Sequence, residues 1–337
     1  MNVMPLSSQL LYAVETELKK VVNTVDDPKY GIFHHMLAYH MGWEGEGAGS
    51  NATGKRIRPI LLLLATYAAG RNWEDALPAA AAVELIHNFS LIHDDIEDNS
   101  SLRRGRPTVW DKWGVPLALN AGDAMFTLAH LSIFNLEQAC GLKTTLKAAT
   151  ILQNSCLELT KGQHLDISYE SRNDLGLDDY WSMVSGKTAS LISTCTELGA
   201  AVAEVSPNIQ ESYRKFGYNL GMAFQALDDL LGIWGDAALT GKSNESDLIS
   251  GKKSLPVLYA LDLHGPFSER WRRGAIQPVE VKDLAHQLES EGARDYTQET
   301  AACFTDQALK ALHEAGPTGE GGEELINLTN TLLQRKQ

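Results

Sequence analysis

The sequence predicts an all-α protein, a single-domain bundle of about ten or more helices around a central cavity. Three observations carry this prediction. Apolar residues recur at helical spacing through most of the 337 residues, two-residue alternation is nearly absent, and neither a βαβ rhythm nor an internal repeat is present. No Pro- or Ser-rich linker divides the chain, so we expect one domain over residues 1–337.

The spacing of the apolar residues predicts the helices along the chain. It predicts helices over 7–25, 59–69, 76–98, 117–140, 143–169, 178–204, 208–234, 255–263, 278–292, 297–315 and 323–335. Pro78 falls near the start of the third helix, where proline is tolerated. A glycine-rich loop, Gly42–Gly54, separates the first helix from the second.

Composition narrows the class of protein. Hydrophobic residues make up 44% of the chain, and the net charge of −14 argues against general nucleic-acid binding. The N-terminus lacks the basic start of a signal peptide, and no apolar run approaches the roughly 18 residues that a membrane span needs. The four cysteines show no metal-binding spacing and indicate small buried groups in a reducing compartment. We therefore expect a cytoplasmic protein without a membrane span.

The stretch Leu91–Trp110 is the first that indicates chemistry. Its acids are followed within a few residues by bases, namely Asp94, Asp95, Glu97 and Asp98, then Arg103, Arg104 and Arg106. Acids this close repel one another unless a cation lies between them. A metal-bound phosphate ester satisfies both clusters, because carboxylates hold Mg²⁺ and arginines bind the remaining phosphate oxygens. His87, Asp94 and Asp98 share one helix face, with Asp95 flanking it. Alone, the acidic cluster is as typical of a solvated helix end.

A second acidic pair ends another apolar helix. The stretch FQALDDLLGIWGD contains Asp228 and Asp229, and Gln225 precedes Asp228 by nearly one turn. Two such pairs, each at the end of a helix, are predicted to face each other across a bundle cavity, where bundles build metal sites.

Further polar residues lie between and after the two acidic pairs. Lys187 and Thr188 lie in an apolar helix, where a lysine is expected to have a partner. Asp166 of GQHLD is either a site residue or a structural helix-pairing group. Flexible glycines stand beside Lys242 and Lys252, as in loops that close over phosphate.

Seven pieces together resemble the trans-isoprenyl diphosphate synthase (polyprenyl synthetase) family, most closely geranylgeranyl diphosphate synthases. They are GKRIRP, VELIHNFSLIHDDIED, LRRGRPTVW, GQHLD, GKTASL, FQALDDLLGIWGD and GKKSLP, in the family's order. The resemblance implies the isoprenoid synthase fold, a homodimer, and Mg²⁺ as cofactor, three ions with substrate bound. It also implies head-to-tail (1′–4) condensation, in which isopentenyl diphosphate attacks the cation left when an allylic diphosphate loses pyrophosphate.

The resemblance also implies roles for individual residues. The metal ions are held by Asp94, Asp95, Asp98 and Asp228, with Asp229 supporting them. The allylic diphosphate is held by Arg103, Lys187 and Lys242, and isopentenyl diphosphate by Lys55, Arg58, His87 and Arg104. Lys252 makes a weaker phosphate contact, and Thr188 and Gln225 stabilise the developing cation through their oxygen dipoles. Cations and Mg²⁺ neutralise the leaving pyrophosphate, so no nucleophilic side chain is needed.

Product length is predicted from the residues before the first acidic motif. Phe89 lies five residues before Asp94, about 7.5 Å back along the helix axis, and Ser90 beside it is small. By resemblance, an aromatic residue at Phe89 alone indicates a medium-chain enzyme. The C20 product geranylgeranyl diphosphate is favoured, with the C15 product farnesyl diphosphate and a C25 product left open.

One departure from the family pattern leaves two alternatives open. Gly232 stands where the family usually has a third Asp, although Asp236 follows one turn later. A terpene cyclase on the same scaffold is one alternative, but the string nearest to its NDxxSxxxE motif has Leu177 and Trp181 where Ser and Glu are required. A non-catalytic subunit of a heteromeric synthase is the other, but such subunits commonly lose first-motif acids that are all present here.

Overall fold

The computed structural model describes residues 4–235 and 246–333, and most of them are helical. The α-helices are α1 (Leu6–Val22), α2 (Gly31–His40), α3 (Ser50–Thr53), α4 (Ile57–Ala68), α5 (Leu77–Glu97), α6 (Val109–Trp113), α7 (Val115–Phe134), α8 (Glu137–Glu170), α9 (Leu177–Val184), α10 (Ser190–Val202), α11 (Pro207–Trp234), α12 (Asp247–Ser250), α13 (Leu255–Asp262), α14 (Pro266–Trp271), α15 (Val281–Ser290), α16 (Ala293–Ala315) and α17 (Gly319–Leu333). Two short strands, β1 (Leu102–Arg103) and β2 (Arg106–Pro107), form an antiparallel hairpin. The predicted all-α class is confirmed.

The chain divides into two compact units. Of the described residues, the first unit contains 4–154, 194–210 and 316–325. The second contains 155–193, 211–235, 246–315 and 326–333. The expectation of one domain over the whole chain stays a prediction.

Several elements differ from the predicted ranges. The helix predicted over 178–204 is interrupted by a π-helical turn, Ser185–Ala189, between α9 and α10. The break predicted between residues 140 and 143 is confirmed, because Gly141, with φ 72°, is a non-helical residue that divides α8. The predicted helix 117–140 ends earlier than expected, since α7 ends at Phe134. Five short helices were not predicted, because they have too few turns to show an apolar period clearly. They are α2, α3, α6, α12 and α14, with 10, 4, 5, 4 and 6 residues.

Small side chains let the helices of the first unit pack closely. In α5, Ala79 to Ala82 are all fully buried, and α5 packs along α4 and α7. Alanine loses almost no side-chain entropy on burial, so a run of alanines suits a helix with neighbours on several sides. This packing fixes the C-terminal end of α5, which carries the first acidic motif.

The core of the second unit anchors the last turns of α11. Leu230, Ile233 and Trp234 pack in one cluster with Val257 of α13 and Phe267 of α14. Because neighbouring helical residues point about 100° apart, this buried face leaves other positions of the same turns exposed. The second acidic motif lies on these turns.

The structure bears on two expectations from composition. By length and composition, α7 is the one described helix that is apolar enough to cross a membrane. Its apolar window is 44% buried inside the protein, and a single helix of this kind is weak evidence for a span, because core helices can be equally long and apolar. All four cysteines are free, but Cys303 is exposed rather than buried.

Candidate active site

The three aspartates of the first motif, at the end of α5, differ in their exposure to solvent. Asp94 is half-buried and Asp98 is exposed, whereas Asp95 is 2% exposed. Arg103 binds the Asp95 carboxylate in a fork, with Nε 2.8 Å from Oδ1 and 3.0 Å from Oδ2 and with Nη2 2.8 Å from Oδ1. Burial raises the pKa of the Asp95 carboxyl to about 6, although Arg103 opposes this shift. Asp95 and Arg103, predicted to bind a metal and a diphosphate, are thus paired with each other here.

The β1–β2 hairpin directs the side chains of the adjacent residues Arg103 and Arg104 to different partners. Arg103 pairs with Arg106 across the hairpin, and the turn residues Arg104 and Gly105 have φ of 52° and 73°. Positive φ at both positions is the requirement of a type I′ turn, which matches the twist of the strands. The Arg104 side chain donates from Nη1 to the Ala52 carbonyl oxygen at 2.7 Å, while Arg103 binds α5. The two adjacent arginines therefore have different partners, and their binding of different substrates stays a prediction.

The four residues predicted to hold isopentenyl diphosphate line one cavity of about 500 Å³. They are Lys55, Arg58, His87 and Arg104. Arg58 Nη1 lies 3.2 Å from His87 Nε2, and since a guanidinium only donates, His87 Nε2 is the acceptor. Burial, followed by the charge of Arg58, lowers the pKa of His87 well below its ordinary value, so this imidazole is neutral at pH 7. Besides Arg56 and Glu84, which also line it and bind each other, the cavity therefore presents three cations and one neutral histidine.

Arg56 in GKRIRP holds the first unit together. Its side chain is fully buried and binds Glu15 Oε1 at 2.7 Å, Glu84 Oε1 at 2.8 Å and the Met41 carbonyl oxygen at 3.2 Å. It precedes α4 with φ 47°, a left-handed conformation that costs a non-glycine residue energy. All three basic residues of this motif line the cavity, but Arg56 is bound by two acids and a carbonyl oxygen and is therefore the structural one.

The π-helical turn presents Lys187 in the second unit. Lys187 forms an ion pair with Asp166 of α8, which answers the expectation that this lysine has a partner. A side chain at Gly162 would place its Cβ 2.1 Å from the Lys187 backbone nitrogen, so only glycine allows α8 to approach the turn this closely. Turns of this type are frequent at functional sites, because they redirect side chains within a helix.

A chain of hydrogen bonds fixes Thr188 and Gln225. Thr188 donates to Gln225 Oε1 at 2.9 Å, and Gln225 Nε2 donates to Asp229 Oδ1 at 2.9 Å. Asp229 Oδ2 accepts from the Tyr180 hydroxyl at 2.6 Å and from the Leu255 backbone N–H at 2.8 Å. Asp229 is fully buried, so its carboxylate orients the other groups.

The second motif has one exposed aspartate and one buried aspartate, and a lysine and a further acid lie near the buried one. Asp228 is exposed at the surface of α11, one residue before the buried Asp229. Lys252 Nζ lies 3.8 Å from Asp229 Oδ1 and 3.8 Å from Asp247 Oδ1. Although burial lowers it, the net pKa of Lys252 is raised by the carboxylates around it, so Lys252 is charged. Burial raises the pKa of Asp247 to about 6.

Lys253, the neighbour of Lys252 in sequence, binds a different part of the second unit. Lys253 Nζ donates to the carbonyl oxygens of Tyr169 and Glu170 at 2.8 and 2.7 Å. It therefore caps the C-terminal end of α8, where cations are favourable, and leaves Lys252 as the lysine beside the acids. Lys242 and Asp236 lie outside the described residues.

Comparisons with known proteins agree in sequence and in fold. A family model described as polyprenyl synthetase matches residues 48–284. A geranylgeranyl diphosphate synthase of Mycobacterium tuberculosis is 43% identical over 308 residues, covering 89% of this chain and 86% of that protein. A (2E,6E)-farnesyl diphosphate synthase of the same species is 36% identical over 311 residues, with the same coverage of 89% and 86%. The structure of a polyprenyl synthetase from Streptomyces coelicolor A3(2) matches with a TM-score of 0.85 and 33% identity, covering 97% of this chain and 98% of that one.

The chain belongs to the polyprenyl synthetase family. It is a transferase of the prenyl diphosphate synthase class. Because relatives of comparable similarity are named for both farnesyl and geranylgeranyl products, membership does not determine the length of its product.

The residues predicted to set product length in this polyprenyl synthetase lie among aromatic rings. The Phe89 ring lies edge-on to Phe126 of α7 at a centroid distance of 5.2 Å and to His93 at 5.0 Å. Ser90 turns its hydroxyl back to the His87 carbonyl oxygen at 2.8 Å. Phe89 is therefore backed by a second helix, which spacing along α5 alone did not predict.

Members of the family generally use Mg²⁺, and the donors present here suit that ion. Asp94, Asp98 and Asp228 offer hard carboxylate oxygens on half-buried or exposed positions, whereas Asp95 and Asp229 are committed to protein partners. Within 4–235 and 246–333, no group of three or more His, Cys, Asp or Glu forms a ready metal cage. Magnesium bound with a diphosphate uses one or two carboxylates and keeps several waters, so isolated aspartates fit it.

His40 is a residue near the site that the sequence analysis missed. It lines a small cavity together with Asp95, Arg103 and Arg104. Its buried Nε2 has no hydrogen-bond partner within the described part of the chain. Burial, together with the surrounding arginines, lowers the pKa of His40 to about 3. No sequence signal pointed to it, because it ends α2, a helix that was not predicted.

Proposed function

We propose that this chain is a magnesium-dependent trans-prenyl diphosphate synthase that joins isopentenyl diphosphate head to tail to an allylic diphosphate. We further propose that its main product is geranylgeranyl diphosphate, because the geranylgeranyl diphosphate synthase of Mycobacterium tuberculosis shares 43% identity against 36% for the farnesyl enzyme. Farnesyl diphosphate and a C25 product remain the alternatives.

The observation that carries the proposal is the basic cavity of the first unit. Lys55, Arg58 and Arg104 surround about 500 Å³ with cations, and Glu84, the acid of that lining, is bound to Arg56. Such a cavity fits a diphosphate, whose oxygens accept charge-assisted hydrogen bonds. Neutral His87 adds a polar group without adding charge. A terpene cyclase, which takes one diphosphate, has no need for this second anion site.

Residues of the second unit support the ionisation step. Lys187, held by Asp166, offers a fixed cation to the departing pyrophosphate. The Gln225 amide cannot rotate freely, because Asp229 accepts from its Nε2 and Thr188 donates to its Oε1. Its oxygen dipole is thereby preorganised to stabilise a nearby carbocation. Asp94 and Asp98 in the first unit, and Asp228 in the second, are the aspartates that would hold magnesium ions, which would supply Lewis-acid neutralisation of the leaving group's charge.

Product length in this proposal depends on Phe89 and Phe126. Their rings touch edge to face, which gives a rigid apolar barrier rather than one mobile side chain. The small Ser90 beside Phe89 leaves more room than a second aromatic residue. This arrangement favours a medium-length product over a long one.

Turnover with defined primers tests the proposal. Purified protein is incubated with Mg²⁺, isopentenyl diphosphate and dimethylallyl, geranyl or farnesyl diphosphate, and products are identified by mass spectrometry. A diphosphate longer than the primer, ending at C20, is expected. A hydrocarbon favours the cyclase, no turnover favours a non-catalytic subunit, and a C15 or C25 end product changes the length assignment alone. Asp228→Asn serves as the matched inactive control.

We also propose a homodimer, as the family resemblance implies. Large apolar side chains of α7 and the start of α8 are exposed in the single chain, namely Leu131, Phe134, Leu142 and Leu146. Exposed apolar residues in such number are typical of an association surface. Light scattering coupled to gel filtration is expected to give twice the 36.9 kDa mass of the chain.

A further inference from the structure

Arg106 is the one arginine of the stretch Leu91–Trp110 that the proposed function does not use. It lies on β2, two residues after Arg104, and it pairs across the hairpin with Arg103. Its side chain is buried, since the residue is only 8% exposed. A charged group is buried at a cost in free energy unless it is hydrogen-bonded, so its partners indicate what it does.

The Arg106 guanidinium binds three backbone carbonyl oxygens, at the end of α2 and in the glycine-rich loop Gly42–Gly54. Nε donates to Glu46 at 2.9 Å, Nη1 to Tyr39 at 2.9 Å and Nη2 to Glu44 at 2.6 Å. The guanidinium also lies over the Tyr39 ring, with Cζ 4.0 Å from its centroid. A planar fork of this kind is a geometry that arginine provides and lysine does not.

The glycine-rich loop is compact, so anchoring its first half also holds its second half. Gly42 lies so close to Ala52 that a Cβ on Gly42 would be 2.6 Å from the Ala52 backbone carbon. Arg104 Nη1 donates to the Ala52 carbonyl oxygen at 2.7 Å. Arg104 and Arg106 thus bind the loop at two places, and Lys55 follows directly after it.

Lys55 and Arg104 reach one cavity from different segments of the first unit, although their like charges repel. We propose that Arg106 is a positioning residue for isopentenyl diphosphate: it ties the loop to the hairpin and thereby holds Lys55 and Arg104 at the same cavity. Its partners are carbonyl oxygens, so this tie adds no acid that would offset the positive charge of the cavity. The inference rests on the proposed function, since that function places isopentenyl diphosphate in this cavity.

Steady-state kinetics of two Arg106 variants tests this role. Arg106→Met removes the fork, whereas Arg106→Lys keeps the charge but cannot reach three carbonyl oxygens in one plane. Both are expected to raise the KM for isopentenyl diphosphate about 10-fold, because misplaced cations bind the diphosphate less well. The KM for geranyl diphosphate and kcat should change by less than about twofold, since Arg103 keeps its own fork to Asp95.

A neighbouring lysine gives a matched control. Lys112 Nζ lies 4.4 Å from the centroid of the same Tyr39 ring, but the residue is exposed. Lys112→Met therefore removes a cation beside Tyr39 and leaves the fork of Arg106 in place. It is expected to keep the wild-type KM for isopentenyl diphosphate.

A double-mutant cycle with Arg104 tests whether Arg106 acts through its neighbour. In the Arg104→Met background, Arg106→Met is expected to raise the KM for isopentenyl diphosphate by a smaller factor than in the wild type, because one of the cations that it positions is gone. The same factor in both backgrounds would show that Arg106 acts independently, as a direct phosphate ligand does, and would overturn the inference.

The other outcomes separate this inference from the proposed function. A wild-type KM for isopentenyl diphosphate in Arg106→Lys would overturn the inference, since charge alone would then suffice, and this variant decides the matter if Arg106→Met does not fold. Equal rises in KM for both substrates, together with a lower Tm, would indicate a general loss of structure and would also overturn it. In these cases the enzyme remains a synthase. If the wild-type protein does not condense the two diphosphates, the proposed function and the inference both fail.

Discussion

Arg56 and Arg58 stand two residues apart in one motif, and the structure predicts opposite consequences of losing them. Arg56→Met removes the partner of Glu84, whose side chain is 4% exposed, and removing one partner of a buried ion pair costs about 3–5 kcal/mol. Glu15 is 22% exposed and adds little, and Asn88 still donates to Glu84 Oε1 at 3.0 Å. We therefore expect the Arg56 variant to lose about 3 kcal/mol of the free energy of unfolding, the lower end of that range.

Arg58→Met is the matched control for that change. Arg58 Nε is buried and has no hydrogen-bond partner among the described residues, so its loss leaves no acid unpaired. We expect the stability of this variant to match the wild type. Its KM for isopentenyl diphosphate should rise about 10- to 100-fold, the equivalent of one charge-assisted hydrogen bond to phosphate.

Urea unfolding followed by circular dichroism, combined with steady-state kinetics, measures both effects. For the Arg56 variant a midpoint lower by about 1 M urea corresponds to the expected loss. The assignment of roles would be refuted by an Arg56 variant that unfolds like the wild type but has lost affinity for isopentenyl diphosphate. An Arg58 variant with reduced stability and unchanged KM would refute it equally.

Three further outcomes are expected. Tyr180→Phe removes a hydrogen bond of 2.6 Å to the buried Asp229 carboxylate and should cost about 1.5–3 kcal/mol of unfolding free energy, so an unchanged urea midpoint would contradict this. Phe89→Ala and Phe126→Ala should each lengthen the main product, as mass spectrometry would detect, because either change opens the edge-to-face barrier; an unchanged chain length speaks against the barrier. Chelation with EDTA should abolish condensation and added Mg²⁺ should restore it, whereas turnover that survives chelation would exclude the proposed cofactor.

The long helices could be predicted from sequence because burial and spacing agree over several turns. The predicted range 208–234 differs from α11 by one residue at its start, and 76–98 differs from α5 by one residue at each end. Shorter elements depend on local turn geometry. The β1–β2 hairpin requires Arg104 in a left-handed conformation, and no propensity of arginine predicts that.

The partners of charged residues were harder to predict than the residues themselves. Lys187 was expected to have a partner, but Asp166 is 21 positions away in sequence and reaches it because Gly162 lets two helix segments approach. The hairpin turns Arg103 onto Asp95, a partner that the sequence did not reveal, while its predicted role toward a diphosphate stays a prediction. Pairings of this kind depend on which groups the fold brings together, which a one-dimensional pattern does not contain.

Adjacent motif residues take different roles for one geometric reason. Neighbours on a helix point about 100° apart, so when one faces the interior the next faces outward. Asp95 and Asp229 are buried and bound by protein donors, while Asp94 and Asp228 remain nearer to solvent. A carboxylate already satisfied by arginine or tyrosine is a poorer metal ligand, because binding metal must first break those bonds. Each acidic pair therefore combines one aspartate suited to magnesium with one that holds the surrounding site in place.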